Sequence, residues 1–157
     1  CEGSTAELAF EYLTGSTGFY QEYQYSYASY YGQDFACTIP STDSTLPVAA
    51  IDGYIKLANN DYNSVMNALA TIGPLAINVD ASTWHAYESG IYNGCNQASP
   101  DVNHVVVMVG YGEDANGKYW LVRNSWSPTW GEQGYIKILK SDADLCGVLD
   151  AASYPNL

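Results

Sequence analysis

Apolar positions recur along this chain first at helical spacing and later in runs that suit strands. Ser4-Thr5-Ala6-Glu7 forms a Ser-x-x-Glu capping box, after which Leu8, Ala9, Tyr12 and Leu13 repeat at helical spacing until Gly15 supplies a stop. From Gly18 to Cys37 the period is lost. Tyr20, Tyr23, Tyr25, Tyr27, Tyr30 and Tyr31 crowd a turn-like stretch whose rings should pack a loop-rich lobe and present hydroxyls to water. Ser41 to Pro47 has the Ser, Thr, Asp and Pro content of a linker. Val48 to Leu57 then reads as a strand. Asp61 to Ile72 reads as a helix with Val65, Leu69 and Ile72 on one face, ended by Gly73-Pro74, and Leu75 to Val79 as another strand.

Two strand runs follow that belong together. The first, Val105 to Val109, follows Asn103-His104 and gives way to the turn-rich Gly110-Tyr111-Gly112. The second begins at Tyr119-Trp120-Leu121-Val122 and ends in Arg123-Asn124-Ser125-Trp126. The polar segment between them carries Asn116-Gly117, a strong short-range hairpin signal, so the runs should pair antiparallel. Folding back about that segment brings His104 within about a residue or two of Asn124 across the pair. Gly134 to Leu139 reads as a further strand, and the tail from Cys146 to Leu157 is mixed. Helices early and strands late point to an α+β protein. Residues 1–47 would form a helical lobe and 48–157 a barrel-like β lobe, the tail returning to the first. A helix that starts on its own cap so close to Cys1 leads us to expect an earlier segment of the fold, missing or carried as a separate chain.

Composition narrows the functional classes. With 157 residues, 47% of them hydrophobic, the chain can bury a real core. Five Lys and Arg against 17 Asp and Glu give a net charge of −12, which argues against a phosphate-binding surface and makes nucleic acid a poor partner. The acidic balance suits an acidic or extracellular compartment. No apolar run is long enough to span a bilayer, so no membrane partner is expected. Cys1, Cys37, Cys95 and Cys146 lack C-x-x-C spacing, and with only two His no metal site is expected. Disulfides in an oxidising compartment, or buried free thiols, account for them.

The candidate chemistry is an imidazole facing a carboxamide at one sheet end, which is an oriented base that lacks only a nucleophile. The chain has no G-x-S-x-G elbow, P-loop, complete G-x-G-x-x-G or H-E-x-x-H. Asp114-Ala115-Asn116-Gly117 echoes a calcium loop without the remaining ligand spacing and is read as a hairpin turn. His85, next to Trp84, has no partner in the sequence and is assigned to the surface or to packing.

Asn103-His104 with the apolar run to Gly112, and Tyr119 to Trp126 continuing to Trp130-Gly131 and Gly134-Tyr135, resemble the His and Asn regions of papain-like cysteine peptidases of the cathepsin L-like type. Gly73-Pro74, Gly90-Ile91-Tyr92, Cys146-Gly147 and Ala152-Ser153-Tyr154-Pro155 match that family in the same order, so the resemblance covers essentially the whole chain. It implies a two-lobe papain-like fold and peptide-bond hydrolysis without a cofactor. His104 would be the general base and acid, and Asn124 the residue that orients it. Trp126 would cover their hydrogen bond, and Trp130 would line the leaving-group side.

In that family the catalytic Cys stands within C-G-[SA]-C-[WY], about 130 residues or more before the His. Counting back from His104 runs off this chain, and none of its four cysteines stands in that motif. The resemblance therefore describes a C-terminal portion, inert alone, that supplies His104 and Asn124 to a thiolate on a missing N-terminal segment or light chain. The alternative is a homologue whose nucleophile is replaced, with a binding, storage or structural role. By the same resemblance Cys95 pairs with Cys146, while Cys1 and Cys37 pair with the missing segment. Peptides or proteins would be substrates. Gly3 and Ser4, where the family has Gly-Gly, would offer backbone hydrogen bonds to them, although Ser4 has a narrower φ range. Asn103 would also contact substrate, and Thr5, Ala6, Ala81, Val102 and Ala151 would form an apolar second subsite. Ser127 stands where a Gly is usual after Asn-Ser-Trp. The resemblance implies a lysosomal, vacuolar or secreted location.

Overall fold

The computed structural model describes residues 3–16, 18–36, 38, 47–95, 99–141 and 143–157. It divides into two compact units, Cys1–Ile55 with Pro155–Leu157, and Lys56–Tyr154.

In the first unit, helix α1 spans Ala6–Thr14. Its cap is Thr5 and not Ser4: Thr5 is extended at φ −103° and ψ 162°, and its side chain accepts from the Leu8 amide. The helix thus starts one residue later than the Ser-x-x-Glu pattern suggests, because the adjacent Thr competes for the same capping geometry. Gly15 ends the helix as expected. Within the unit, the Phe10 ring lies 5.9 Å from that of Tyr54, whose hydroxyl donates to Glu11 Oε1 at 3.2 Å. Phe19 and Ala49 form an isolated bridge, and a Cβ at Gly18, at φ 122°, would collide with the Ala49 carbonyl oxygen. The tyrosines depart from expectation, since Tyr23, Tyr27, Tyr30 and Tyr31 are exposed, Tyr31 at 89%. With no strand or long helix through this stretch among the described residues, their rings stay exposed.

Strand β1 is Gly53–Lys56, much shorter than the expected Val48 to Leu57. Asp52-Gly53 interrupts the apolar run, and Ala49 is spent on its bridge to Phe19. The remaining strands are β2 (Leu75–Val79), β3 (Ile91–Tyr92), β4 (His104–Asp114), β5 (Gly117–Arg123), β6 (Tyr135–Leu139) and β7 (Ala152–Asn156). Their order in the sheet is β1-β7-β2-β4-β5-β6-β3. Helix α2, Tyr62–Thr71, is capped by Asp61, whose carboxylate accepts from the Ser64 amide at 3.1 Å and the Ser64 hydroxyl at 2.6 Å. Val65, Ala68 and Leu69 face the core at i, i+3 and i+4, but Ile72 is 59% exposed. Ile72 is the C-cap, its amide still donating to the Ala68 carbonyl at 2.8 Å, and it closes the last turn at the exposed end of the helix.

The hairpin forms as expected, with Asp114 opposite Gly117 across a two-residue turn. Gly110-Tyr111-Gly112, read from the sequence as turn-rich, instead continues β4. Neither glycine takes a positive φ, and Gly112 lies beneath the Tyr119 ring, where a Cβ would have no room. A bulge falls between Met108 and Gly110.

The core is the face shared by alternate residues. Leu75, Ile77 and Val79 of β2, Val106 and Met108 of β4, Trp120 and Val122 of β5, and Ile136 and Ile138 of β6 are all buried. In the tail, a 3-10 turn at Leu145–Gly147 buries Leu145 and Cys146, and Cys146 is bonded to Cys95. Cys1 and Cys37 lie outside the described residues, as does most of the stretch read as a linker.

Met108 is fully buried at the centre of this core and opposite Val122. Met108→Ala should lower the unfolding free energy by about 2–5 kcal/mol, measured by denaturant titration, whereas Tyr111→Ala, at an exposed β4 position, should cost far less.

Candidate active site

Strand alternation puts His104 and Asn124 on one face. His104 shares the parity of Val106 and Met108, and Asn124, directly after β5, that of Trp120 and Val122; the pairing of Met108 with Val122 makes these one face, the core face. The bulge lies beyond Met108, so the ladder runs without a slip from there to Val107 opposite Arg123. At the other side His104 pairs with Val79 of β2. Both residues therefore sit where the buried face meets the sheet end.

There His104 Nε2 lies 2.8 Å from Asn124 Oδ1. The Ser125 amide also points to that atom at 2.8 Å, and a backbone N–H can only donate, so the atom is the carboxamide oxygen. An oxygen in that place can only accept, which puts a proton on Nε2 and leaves Nδ1 for proton exchange. The Asn124 amide donates to the Gly134 carbonyl at 2.9 Å, tying the residue to the approach to β6.

Aromatic rings surround the pair. Trp126 stacks on His104 at 5.1 Å between centroids and 27° between planes. Trp130 meets Trp126 edge-on at 5.3 Å and stacks on the buried Trp84 at 6.3 Å, and Trp84 and His104 lie perpendicular at 6.5 Å. His85 stacks on Trp126 at 4.8 Å and 3°.

A carboxylate the sequence analysis did not single out organises the neighbouring loop. Asp80 is only 7% exposed, and its oxygens accept from the Ser82 amide at 3.0 Å and the Asp101 amide at 3.1 Å. A hydrogen bond from the Ser82 side chain, reinforced by the two amides, holds its carboxyl below the usual carboxylate range against the opposing effect of burial. Asn103 Oδ1 accepts from the Ala81 amide at 3.1 Å, and its Nδ2 donates to the Ser82 hydroxyl at 2.8 Å. The Asx turn from Asp80 to Ser82 is local, and the Asp-x-Ser spacing could have revealed it. Glu132 was also missed. It accepts from the Gly90 amide at 2.8 Å and pairs with Lys137 at 2.9 Å, and these two contacts hold its carboxyl below the usual range.

The other candidate residues are placed as follows. Ala81 is buried and Val102 exposed, with Val102 Cγ2 against Gly147; the carbonyl of Ala151, a half-buried residue, accepts from the Asn78 amide at 3.3 Å. Gly3, Ser4, Thr5 and Ala6 belong to the first unit. Gly3 takes φ 82°, the Ser4 hydroxyl donates to the Thr5 carbonyl, Thr5 caps α1, and Ala6 opens it. Ser127 takes φ 117°, a region that suits Gly better than Ser. Among the described residues no His, Cys, Asp and Glu cluster has the makings of a metal site.

The family described as papain family cysteine protease matches residues 1–156. Cathepsin L of Sarcophaga peregrina is 36% identical over all of this chain and 45% of its own length; cathepsin L2 of Homo sapiens is 38% identical over all of this chain and 47% of its own. Among solved structures, digestive procathepsin L 3 of Tenebrio molitor larval midgut is similar with a TM-score of 0.87 at 36% identity, over all of this chain and 50% of that one. The chain thus spans about half the length of these relatives.

Asp80 carries a pH prediction. A carboxyl whose folded pKa is depressed stabilises the fold above its unfolded pKa, and that contribution is lost as pH falls through the lowered folded value. Asp80→Ala should therefore lower the thermal midpoint near neutral pH, and the gap to the parent should close as melts are taken to strongly acidic pH.

Proposed function

Because this chain belongs to the papain family of cysteine proteases, we propose that His104 and Asn124 are the proton-transfer half of a cathepsin L-like endopeptidase site, completed by a thiolate from outside these 157 residues. The single observation that carries the reading is the 2.8 Å contact from His104 Nε2 to an oriented Asn124 Oδ1 beneath the Trp126 ring.

With Nε2 engaged, Nδ1 takes the proton of the attacking thiol. Sulfur adds to the peptide carbonyl carbon and the C–N bond breaks as Nδ1 returns its proton to the departing amine; water then attacks the thioester with Nδ1 again as base, and the C–S bond breaks to release the acid as the proton goes back to sulfur. Asn124 fixes the ring and its tautomer. Trp126 keeps water from the Nε2–H bond, which strengthens it. Trp130, packed on Trp84 and Trp126, lines the leaving-group side. The reaction calls for no cofactor. By itself the chain should not hydrolyse peptides, since none of its cysteines stands in the nucleophile motif. Cys1 and Cys37 pair with the companion segment, and such bridges, like that of Cys95 with Cys146, fit a lysosomal, vacuolar or secreted protein.

Ala81, Val102 and Ala151 support a preference for a hydrophobic residue one position before the one at the scissile bond; profiling of peptide libraries should show it, and a preference for Arg would refute it. In the natural protein that carries these residues, a thiol-directed epoxide should label the companion segment. His104→Ala should cut peptidase turnover by about 10²–10⁴-fold, with a smaller loss for Asn124→Ala. Absence of both labelling and activity would instead establish the non-catalytic homologue.

A further inference from the structure

We infer that His85 is a positioning residue for the His104–Asn124 pair, acting through Trp126. The short 3-10 turn Trp84–Ala86 serves the pair twice in consecutive residues. Trp84, fully buried, packs perpendicular to His104, and His85, exposed, lays its ring on Trp126. That stack, at 4.8 Å and 3°, is tighter and more nearly parallel than the stack of Trp126 on His104 at 5.1 Å and 27°.

Burial does not force this arrangement, because His85 is on the surface and could turn to water. Its backbone is nevertheless held: the Trp84 amide donates to the Ala81 carbonyl at 3.0 Å, the Tyr87 amide to the Trp84 carbonyl at 2.9 Å, and Ala81 is itself bound to Asn103 beside His104. Trp126, by contrast, stands on an irregular segment after β5 whose next residue, Ser127, is at φ 117°. The indole orientation therefore depends on its ring neighbours, and among them Trp84 and Trp130 meet it edge-on. His85 supplies a face contact that keeps the indole from rocking off the Nε2–H···Oδ1 bond, a second layer supporting the first.

The proposal rests on the peptidase reading for its rate readout alone. In the natural protein, nitrogen-15 histidine NMR would follow exchange of the His104 Nε2 proton with water, alongside steady-state kinetics on a peptide substrate. His85→Ala should speed that exchange and lower kcat by about 2- to 10-fold, the worth of one aromatic pair, with KM little changed. His85→Phe, which keeps a planar ring but cannot titrate, should restore both. Should the Ala variant not fold, His85→Gln takes its place. Unchanged exchange and kcat in the ringless variant, or failure of His85→Phe to restore them, would overturn the role. A parent protein without peptidase activity would defeat the proposed function only, since the exchange comparison would still decide the part played by His85.

Discussion

In an antiparallel ladder a slip of one residue turns every side chain to the opposite face, so the register of β4 against β5 governs both core and site. Met108 opposite Val122 puts Val106, Met108, Trp120 and Val122 into the buried face, and the same parity carries His104 and Asn124 onto that face. The burial of four apolar side chains thereby enforces the meeting of one imidazole with one carboxamide. The bulge after Met108 confines its irregularity to the turn side of the hairpin, away from the site.

Around that meeting point the structure spends aromatic surface and not charge. His104 is bordered by Trp84 and Trp126, and Trp130 packs behind them. A charge-assisted partner would fix the ring more strongly, but a neutral carboxamide sets the tautomer without pinning the imidazole in its protonated form. The buried charge stands one step removed, at Asp80, where Ser82 and the Asp101 amide satisfy it and the loop bearing Ala81 and Asn103 is fixed.

Elements whose causes lie close together in sequence were legible from it. Helix α2, strands β2 and β6 and the β4–β5 hairpin follow from apolar period and the Asn116-Gly117 signal, although the turn itself is Ala115-Asn116 with Gly117 opening β5, and the reach from His104 to Asn124 follows from folding that hairpin about its middle. The errors arose where two local signals competed or where pairing was distant. Thr5 displaced Ser4 as the cap, Ile72 is exposed as the C-cap, and Gly110 to Gly112 stayed in the strand, paired with Leu121, Trp120 and Tyr119 of β5. Strand β3 has only two residues and pairs with distant β6, and β7, whose Ser153, Pro155 and Asn156 break any apolar pattern, pairs with distant β2.

By itself the sequence determined which residues meet at the sheet end: a His and an Asn flanking a hairpin, with Trp126 and Trp130 at fixed offsets, because hydrophobic alternation and turn preference are local properties of the chain. The tertiary structure alone decided what holds them. Asp80 bonds to the Asp101 amide across a loop, Glu132 binds the Gly90 amide, and His85 reaches Trp126 over some forty positions of chain. No periodicity encodes those contacts, since each forms only after the sheet has closed the distance between segments that share no local pattern.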